Sequence, residues 1–153
     1  RGERGRAPGS VTFLSGDVHH SYLSEAQPSR RSARAGAVQS RILQAVCSPI
    51  RNPLSRKWRF ATAAASYGVA APIGHLAARS SKVPDAPLTW RLTEGPWFDN
   101  NIATVDVEGP RLRLSWMAGE VVDDRTQEPR LRTVADVSIP SLESPATRLA
   151  RSR

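Results

Sequence analysis

The last third of the chain contains an alternation of apolar and polar residues that is typical of a β-hairpin. Apolar side chains recur at every second position on both sides of Gly109-Pro110. They are Ala103, Val105 and Val107 before this pair and Leu112, Leu114 and Trp116 after it. Because a period of two places alternate side chains on one face of a sheet, we predict antiparallel strands over residues 101–108 and 111–117, with all six side chains directed inward.

Two earlier segments also have the composition of strands. Residues 11–14 are β-branched, aromatic or aliphatic, which predicts a buried strand that ends at Ser15-Gly16. Residues 40–47 fit either a buried strand or a short helix, and we favour a strand because Pro49 and Pro53 follow closely. A polar loop is expected between the two segments, over residues 27–36.

Two further strands are predicted in the second half of the chain. Residues 88–92 predict a half-buried strand with Leu88, Trp90 and Leu92 on one face, followed by a turn at Gly95-Pro96. Residues 131–139 are expected to add one edge strand.

An alanine-rich segment separates the two groups of strands. It predicts a helix over about residues 55–66, a break at Gly68 and Pro72, and a second short helix that ends near Arg79. Such an Arg-flanked helix suits a membrane surface, although a helix packed on a hydrolase or forming its lid is the commoner case. His75 is expected on the surface of the second helix and not as a metal ligand.

Composition excludes several classes of protein. The 153 residues suffice for one domain, and 22 Lys and Arg against 14 Asp and Glu give a formal net charge of +8. The basic residues are scattered and form no stripe interleaved with aromatic residues, which argues against nucleic-acid binding. One cysteine excludes an intramolecular disulfide, and no apolar run is long enough to cross a bilayer. Cytoplasmic and exported locations both stay open.

The segment Ser15-Gly16-Asp17-Val18-His19-His20-Ser21-Tyr22 is the place where residue type and spacing indicate chemistry. It follows a predicted strand, and ligands commonly bind beyond the carboxyl ends of strands in open sheets. If the backbone stays extended, Asp17 and His19 project on the same side and can bind a divalent or trivalent metal ion. His20 would then contact a ligand or the substrate. Strand-end turns with purely structural Asp and His residues show the same pattern.

Three blocks of sequence together resemble the PhoD-like alkaline phosphatases, members of the calcineurin-like metallophosphoesterase superfamily. Residues 15–22 are similar to the family's last metal-binding motif, more widely Gly-His-x-His, with Asp17 at the first His position and His19 at the second. Residues 44–54 are similar to the Ser-Pro-x-x-Asn segment that follows, through Ser48-Pro49 and Asn52. Residues 88–100 resemble the late strand region. The resemblance covers roughly residues 11–117.

The resemblance implies a metal-dependent hydrolase of phosphate mono- or diesters with an α/β (α+β) architecture. The chain would form the C-terminal part of a metallophosphatase αββα sandwich, mainly strands with one or two helices between. Asp17 and His19 would be metal ligands, and His20 would orient a ligand or protonate the leaving group. Arg51 and Asn52 would face the phosphate, unless they are a solvated charge and an ordinary turn residue. Calcium and iron are the metals associated with the family, and manganese and zinc occur elsewhere in the superfamily.

The upstream Asp, Asn and His motifs of metallophosphatases are not found in this sequence. We therefore expect residues 11–139 to be the C-terminal part of such a domain, after a flexible stub over 1–10 and before a disordered tail over 140–153. The expected partners are a phosphate ester and the N-terminal part of the same domain, and the chain alone is expected to be inactive. The alternative is a non-catalytic, basic protein that binds polyanions or another partner, in which the histidines are structural.

Overall fold

The computed structural model of the chain describes residues 8–29, 40–48, 55–65, 70–84, 86–109, 111–120 and 130–140. Within these ranges the chain forms seven strands in two sheets and two α-helices, so the predicted mainly-strand α+β class is confirmed. The strands are β1 (Ser10–Ser15), β2 (Ser21–Pro28), β3 (Arg41–Val46), β4 (Leu88–Trp97), β5 (Asn101–Glu108), β6 (Arg111–Glu120) and β7 (Arg130–Ile139). The helices are α1 (Arg56–Ala64) and α2 (Ala70–Ser80).

Ends of all four strands of the first sheet lie together at one end of that sheet. Its strand order is β1-β3-β2-β4, with β3 parallel to β1 and antiparallel to β2, and β4 antiparallel to β2. Ser15 therefore pairs with Val46, and Ser21 pairs with Trp97. The carboxyl ends of β1, β3 and β4 thus lie beside the start of β2. We call this end of the first sheet the motif end.

The second sheet has the order β5-β6-β7 and is antiparallel throughout. The core lies between the two sheets, where Leu23, Leu43 and Ala45 pack with Leu114, Trp116 and Ile139. Trp116 is fully buried, and its indole N–H donates to the Val46 carbonyl oxygen at 3.0 Å. Burial of these apolar side chains is the main stabilising contribution that joins the sheets.

The predicted hairpin is confirmed, but part of its predicted core face is wrong. Ala103 pairs with Trp116, Val105 with Leu114 and Val107 with Leu112, as the alternation requires. Leu114 and Trp116 are buried, whereas Val105 is exposed and Val107 is 70% exposed. The inner face extends beyond the part that the first sheet covers, and sequence alternation cannot show where that cover stops.

The strand predicted over residues 11–14 exists, but the prediction that it is buried is wrong. β1 lies at the edge of the first sheet and leaves Val11, Phe13 and Leu14 exposed. The neighbouring prediction for residues 40–47 is confirmed as a strand, since β3 lies inside the sheet between β1 and β2. Apolar composition thus identified both strands and did not distinguish the edge from the interior.

The prediction of a turn at Gly95-Pro96 is wrong, because both residues continue β4. The pairing with β2 is irregular here, and Gly95 has a φ of 90°. A Cβ atom at Gly95 would lie 2.8 Å from the Ser21 carbonyl oxygen, so glycine fits this close approach and a larger residue does not. Trp90, predicted on an inward face, is exposed.

The sequence did not predict β2, whose last two residues were assigned to the polar loop over 27–36. The remaining residues of that loop that follow Ser29 lie outside the described ranges. β7, in contrast, is the edge strand predicted over residues 131–139. A strand of mixed polar and small residues has no recognisable sequence pattern. It is identified only by its pairing with two neighbouring strands.

Both predicted helices are present, with shifted ends. α1 ends at Ala64, and Gly68 lies outside the described residues. Pro72 was predicted to break the chain but is the third residue of α2, where a missing N–H costs no intrahelical hydrogen bond. None of the helices described in the structure is long and apolar enough to cross a bilayer.

The predicted terminal segments lie mostly outside the described residues. Residues 1–7 and 141–153 are in this group, and β1 begins one residue before the predicted boundary at residue 11.

Candidate functional site

Asp17, His19 and His20 lie on the connection from β1 to β2, at the motif end of the first sheet. This position agrees with the prediction of a site beyond the carboxyl ends of strands. The local backbone does not agree, because Asp17 has a φ of 67° and His19 a φ of 56°. The backbone of both residues is in the left-handed conformation and is not extended. The alternation of side chains along a strand therefore does not determine where these two side chains point. Both side chains are exposed.

His20 is the most constrained side chain of the connection. Its Nδ1 lies 2.7 Å from the Val18 carbonyl oxygen, and a carbonyl can only accept a hydrogen bond, so Nδ1 is the protonated nitrogen. The imidazole stacks on the Tyr22 ring at 5.2 Å between centroids and lies 5.8 Å from the Phe98 ring. These contacts fix the ring and assign Nε2 as the nitrogen that can bind a metal or exchange a proton.

A buried hydroxyl lies directly behind the connection. Ser21 is fully buried, and its Oγ donates to the Ser48 carbonyl oxygen at 3.1 Å. It also accepts from the Ser48 N–H at 3.0 Å and from the Asn101 Nδ2–H at 3.1 Å. One donor and two acceptor positions are all that a hydroxyl offers, so its capacity is fully used. We call Ser21, Ser48 and Asn101 the polar knot.

The polar knot joins segments that are distant in sequence. Ser21 starts β2, Ser48 follows β3, and Asn101 starts β5 in the second sheet. Asn101 is the first residue of the strand predicted over residues 101–108, and its side chain is buried. Its Oδ1 has no hydrogen-bond partner in the described parts of the chain. An Asn at the start of an alternating strand gave no signal of this role.

Cys47 lies beside the polar knot and does not add a reactive group. Its Sγ lies 3.4 Å from the Asn101 carbonyl oxygen, and its N–H donates to the Ser15 carbonyl oxygen at 3.0 Å. Burial raises the pKa of the Cys47 thiol, so the neutral form is favoured. The role that the structure assigns to Cys47 is packing between the two sheets.

Charged side chains gather around Asp99, the residue that follows Phe98, whose ring contacts His20. The Asp99 carboxylate lies 3.8 Å from the Arg59 guanidinium of α1 and 3.8 Å from the Arg132 guanidinium of β7. Arg132 also lies 3.8 Å from the Glu120 carboxylate. All of these pairs are at least partly exposed, so they are screened by solvent. The sequence gave no indication that Arg59 and Arg132, 73 positions apart, would meet at one carboxylate.

The donor set for a metal ion is incomplete. Asp17 and His19 supply a carboxylate and an imidazole, which suit divalent and trivalent ions. Across the described ranges, however, no three His, Cys, Asp or Glu side chains gather closely enough to hold a metal ion. Arg51 and Asn52, predicted to face a phosphate, lie outside the described residues. His75 lies exposed on α2, as predicted. The described side chains alone therefore do not form a metal centre.

Comparisons with protein-family models, with curated proteins and with solved structures returned no match.

Proposed function

We propose that this chain forms the C-terminal part of a PhoD-like metallophosphatase domain, which hydrolyses phosphate mono- or diesters. The connection from β1 to β2 would supply Asp17 and His19 as metal ligands and His20 as a catalytic residue. The remaining ligands would come from the N-terminal part of the same domain. The bound metal ions, calcium and iron by resemblance, would polarise the phosphoryl oxygen and activate a water molecule.

The observation that carries this proposal is the polar knot. The three sequence blocks that resemble the family are separated by more than twenty residues each, and nothing in their separate patterns requires them to meet. Ser21 belongs to the first block, Ser48 to the second, and Asn101 follows the last residue of the third. Hydrogen bonds to one buried hydroxyl join Ser21, Ser48 and Asn101 at the motif end, and Trp97 of the third block pairs with Ser21. Such convergence favours a shared site over three independent turns.

The environment of His20 suits the proton transfer that the proposal requires. Because Nδ1 donates to the Val18 carbonyl oxygen, the ring can accept a proton at Nε2 and release it there without turning. The stacking against Tyr22 keeps the ring in this orientation. His20 would therefore deliver a proton to the leaving oxygen from a fixed position, at one nitrogen.

Two guanidinium groups support the proposal that the substrate is an anion. Arg59 and Arg132 each lie 3.8 Å from the Asp99 carboxylate, and Asp99 directly follows Phe98, whose ring contacts His20. Guanidinium groups bind phosphate oxygens well because their N–H groups match the spacing of those oxygens. At this position they would attract the phosphate ester, and Asp99 would keep the two guanidinium groups near each other before the ester binds.

The first test is to sequence the DNA upstream of the Arg1 codon. The proposal expects an in-frame extension that encodes the absent Asp, Asn and His motifs. The natural full-length chain should then hydrolyse bis(p-nitrophenyl) phosphate in a metal-dependent way. His19→Ala should lower activity by a factor on the order of a thousand or more and reduce the metal content, since a ligand is lost. The matched control is His75→Ala, an exposed histidine on α2 that should leave both unchanged.

Two results would contradict the proposal. The first is a stop codon with a nearby start site upstream of Arg1. The second is hydrolysis that His19→Ala does not affect. A basic binding protein would then be the better interpretation, and its affinity for polyanions should fall steeply with salt while His19→Ala has no effect.

A further inference from the structure

The helix α1 turns an apolar and basic face away from the rest of the protein. Its half-buried residues, Arg59, Thr62 and Ala63, are spaced by three and four positions and form one side of the helix. None of the nine residues of α1 is buried. Trp58, which is 67% exposed, and Phe60, which is 78% exposed, lie on the two flanks of the opposite side, and Lys57 lies between them. Two large aromatic side chains are therefore left in contact with solvent.

The helix α2 has a comparable face. Ile73, Leu76 and Ala77 follow the same spacing of three and four positions, and all three are exposed. Ala78, on the other side of the helix, is half-buried. Both helices thus place small or polar residues toward the protein and large apolar residues toward solvent, which is the reverse of a packed helix.

The charge of this segment indicates what these faces would meet. Residues 55–84 contain no Asp or Glu, and they contain five basic side chains: Arg56, Lys57, Arg59, Arg79 and Lys82. Arg56 and Lys57 are exposed on α1 beside Trp58. Interfacial helices that bind anionic membranes combine basic residues with aromatic and aliphatic residues in this way. A Trp side chain is also well suited to the boundary between lipid headgroups and acyl chains.

We propose that the exposed faces of α1 and α2 dock on an anionic lipid surface. Trp58 and Phe60 would insert at the level of the headgroups, Ile73 and Leu76 would add apolar contact, and Arg56 and Lys57 would pair with lipid phosphate or carboxylate groups. Both helices would lie in the interface. This proposal uses no residue of the candidate metal site and stands whether or not the chain belongs to a phosphatase.

The test measures co-sedimentation of the 153-residue chain with vesicles. Vesicles of phosphatidylcholine containing phosphatidylserine should bind the chain, and vesicles of phosphatidylcholine alone should bind it much more weakly. Replacing Trp58 and Phe60 together by Ala should weaken binding on the order of tenfold or more. Replacing Arg56 and Lys57 together by Gln should weaken it by a similar factor, most clearly at low salt.

Matched controls separate this face from general basic charge. Arg111 and Arg130 are exposed basic residues of the second sheet, and Val107 and Leu131 are exposed apolar residues there. Their replacement, by Gln and by Ala respectively, should leave vesicle binding unchanged. Circular dichroism checks that each variant is folded.

Three outcomes would overturn the proposal. The first is a folded chain that does not sediment with phosphatidylserine vesicles. The second is a loss of binding in the control variants as large as in the helix variants, which would indicate net charge alone. The third is a chain that does not bind vesicles but dimerises, with the dimer abolished by Trp58→Ala and Phe60→Ala together, which would assign these faces to a second copy.

Discussion

Trp116 and Trp58 show how differently two regions of this protein use the same side chain. Trp116 lies between the sheets, has no exposed surface and satisfies its indole N–H at the Val46 carbonyl oxygen. Trp58 lies on α1 and is 67% exposed. The region between the sheets is stabilised by burial, whereas the helical region retains apolar surface that the fold does not use.

The two regions therefore serve different roles: side chains between the sheets stabilise the fold, and side chains on the exposed helix faces are available to bind another surface. Side chains between the sheets contact residues of both sheets, so their removal leaves cavities and unpaired polar groups. Side chains on the exposed helix faces contact solvent, so their removal should alter binding and leave folding almost unchanged. Stability measurements on matched variants test this difference, and the largest effect is expected in the core.

Trp116→Ala should lower the free energy of unfolding by about 3–5 kcal/mol, because it creates a cavity and removes the hydrogen bond to the Val46 carbonyl oxygen. Trp58→Ala should change it by less than about 0.5 kcal/mol, since the side chain is mainly in water. Urea denaturation of both variants measures the contrast. Equal losses in the two variants would show that α1 packs against the core, and the comparison would fail.

Ser21→Ala should lower the free energy of unfolding by about 1–3 kcal/mol. The variant leaves the Ser48 N–H, the Ser48 carbonyl oxygen and the Asn101 amide without their partner in a buried place. The control is Ser80→Ala at the end of α2, where the hydroxyl is exposed and donates to the Ala77 carbonyl oxygen at 3.0 Å. Thermal or urea unfolding that gives the same stability for both variants would exclude a structural role for the polar knot.

Glu25→Gln should cost about 1 kcal/mol near neutral pH. Arg41 donates to the two carboxylate oxygens of Glu25 at 2.8 and 3.1 Å, and these hydrogen bonds hold the pKa of Glu25 below its ordinary value of 4.5. A lowered pKa gives stability that is complete above the unfolded-state pKa and is lost as pH falls through the folded-state pKa. The difference between wild type and variant should therefore shrink below about pH 4.5.

The comparison for Glu25 is Asp136→Asn. Hydrogen bonds from Arg113 also lower the pKa of Asp136, but this pair is exposed on the second sheet. Its replacement should have a smaller effect, and that effect should diminish further with added salt. Unfolding curves recorded across pH at low and high salt test both variants. A Glu25→Gln difference that persists unchanged at pH 3 would contradict the assigned role of the ion pair.

Local patterns predicted most of the elements. The alternation around Gly109-Pro110 predicted β5 and β6 with the correct pairing, and the alanine-rich segment predicted α1 and α2. β2 was missed because its polar and small residues become a strand only through pairing with β3 and β4. The turn predicted at Gly95-Pro96 was wrong, since the close approach to Ser21 that requires a glycine is a tertiary contact.

The sequence predicted the position of the candidate site better than its geometry. It placed Asp17, His19 and His20 at the end of a strand, which the structure bears out. Asp17 and His19 were expected to project on the same side if the backbone stayed extended, whereas both residues adopt the left-handed conformation. Asn101, Arg59 and Arg132 were not recognised, because their neighbours at this site come from other elements of the fold.

The sequence alone determined the alternation of β5 and β6 and the concentration of two of its three histidines in one short segment. These are local properties, since side-chain period and residue type do not depend on distant contacts. Which apolar faces are covered depends on the packing of the two sheets and the helices, which buries Trp116 and leaves Trp58 in solvent. The tertiary structure also brought Ser21, Ser48 and Asn101 to one hydroxyl, because burial and hydrogen bonding between distant segments depend on how the two sheets pack.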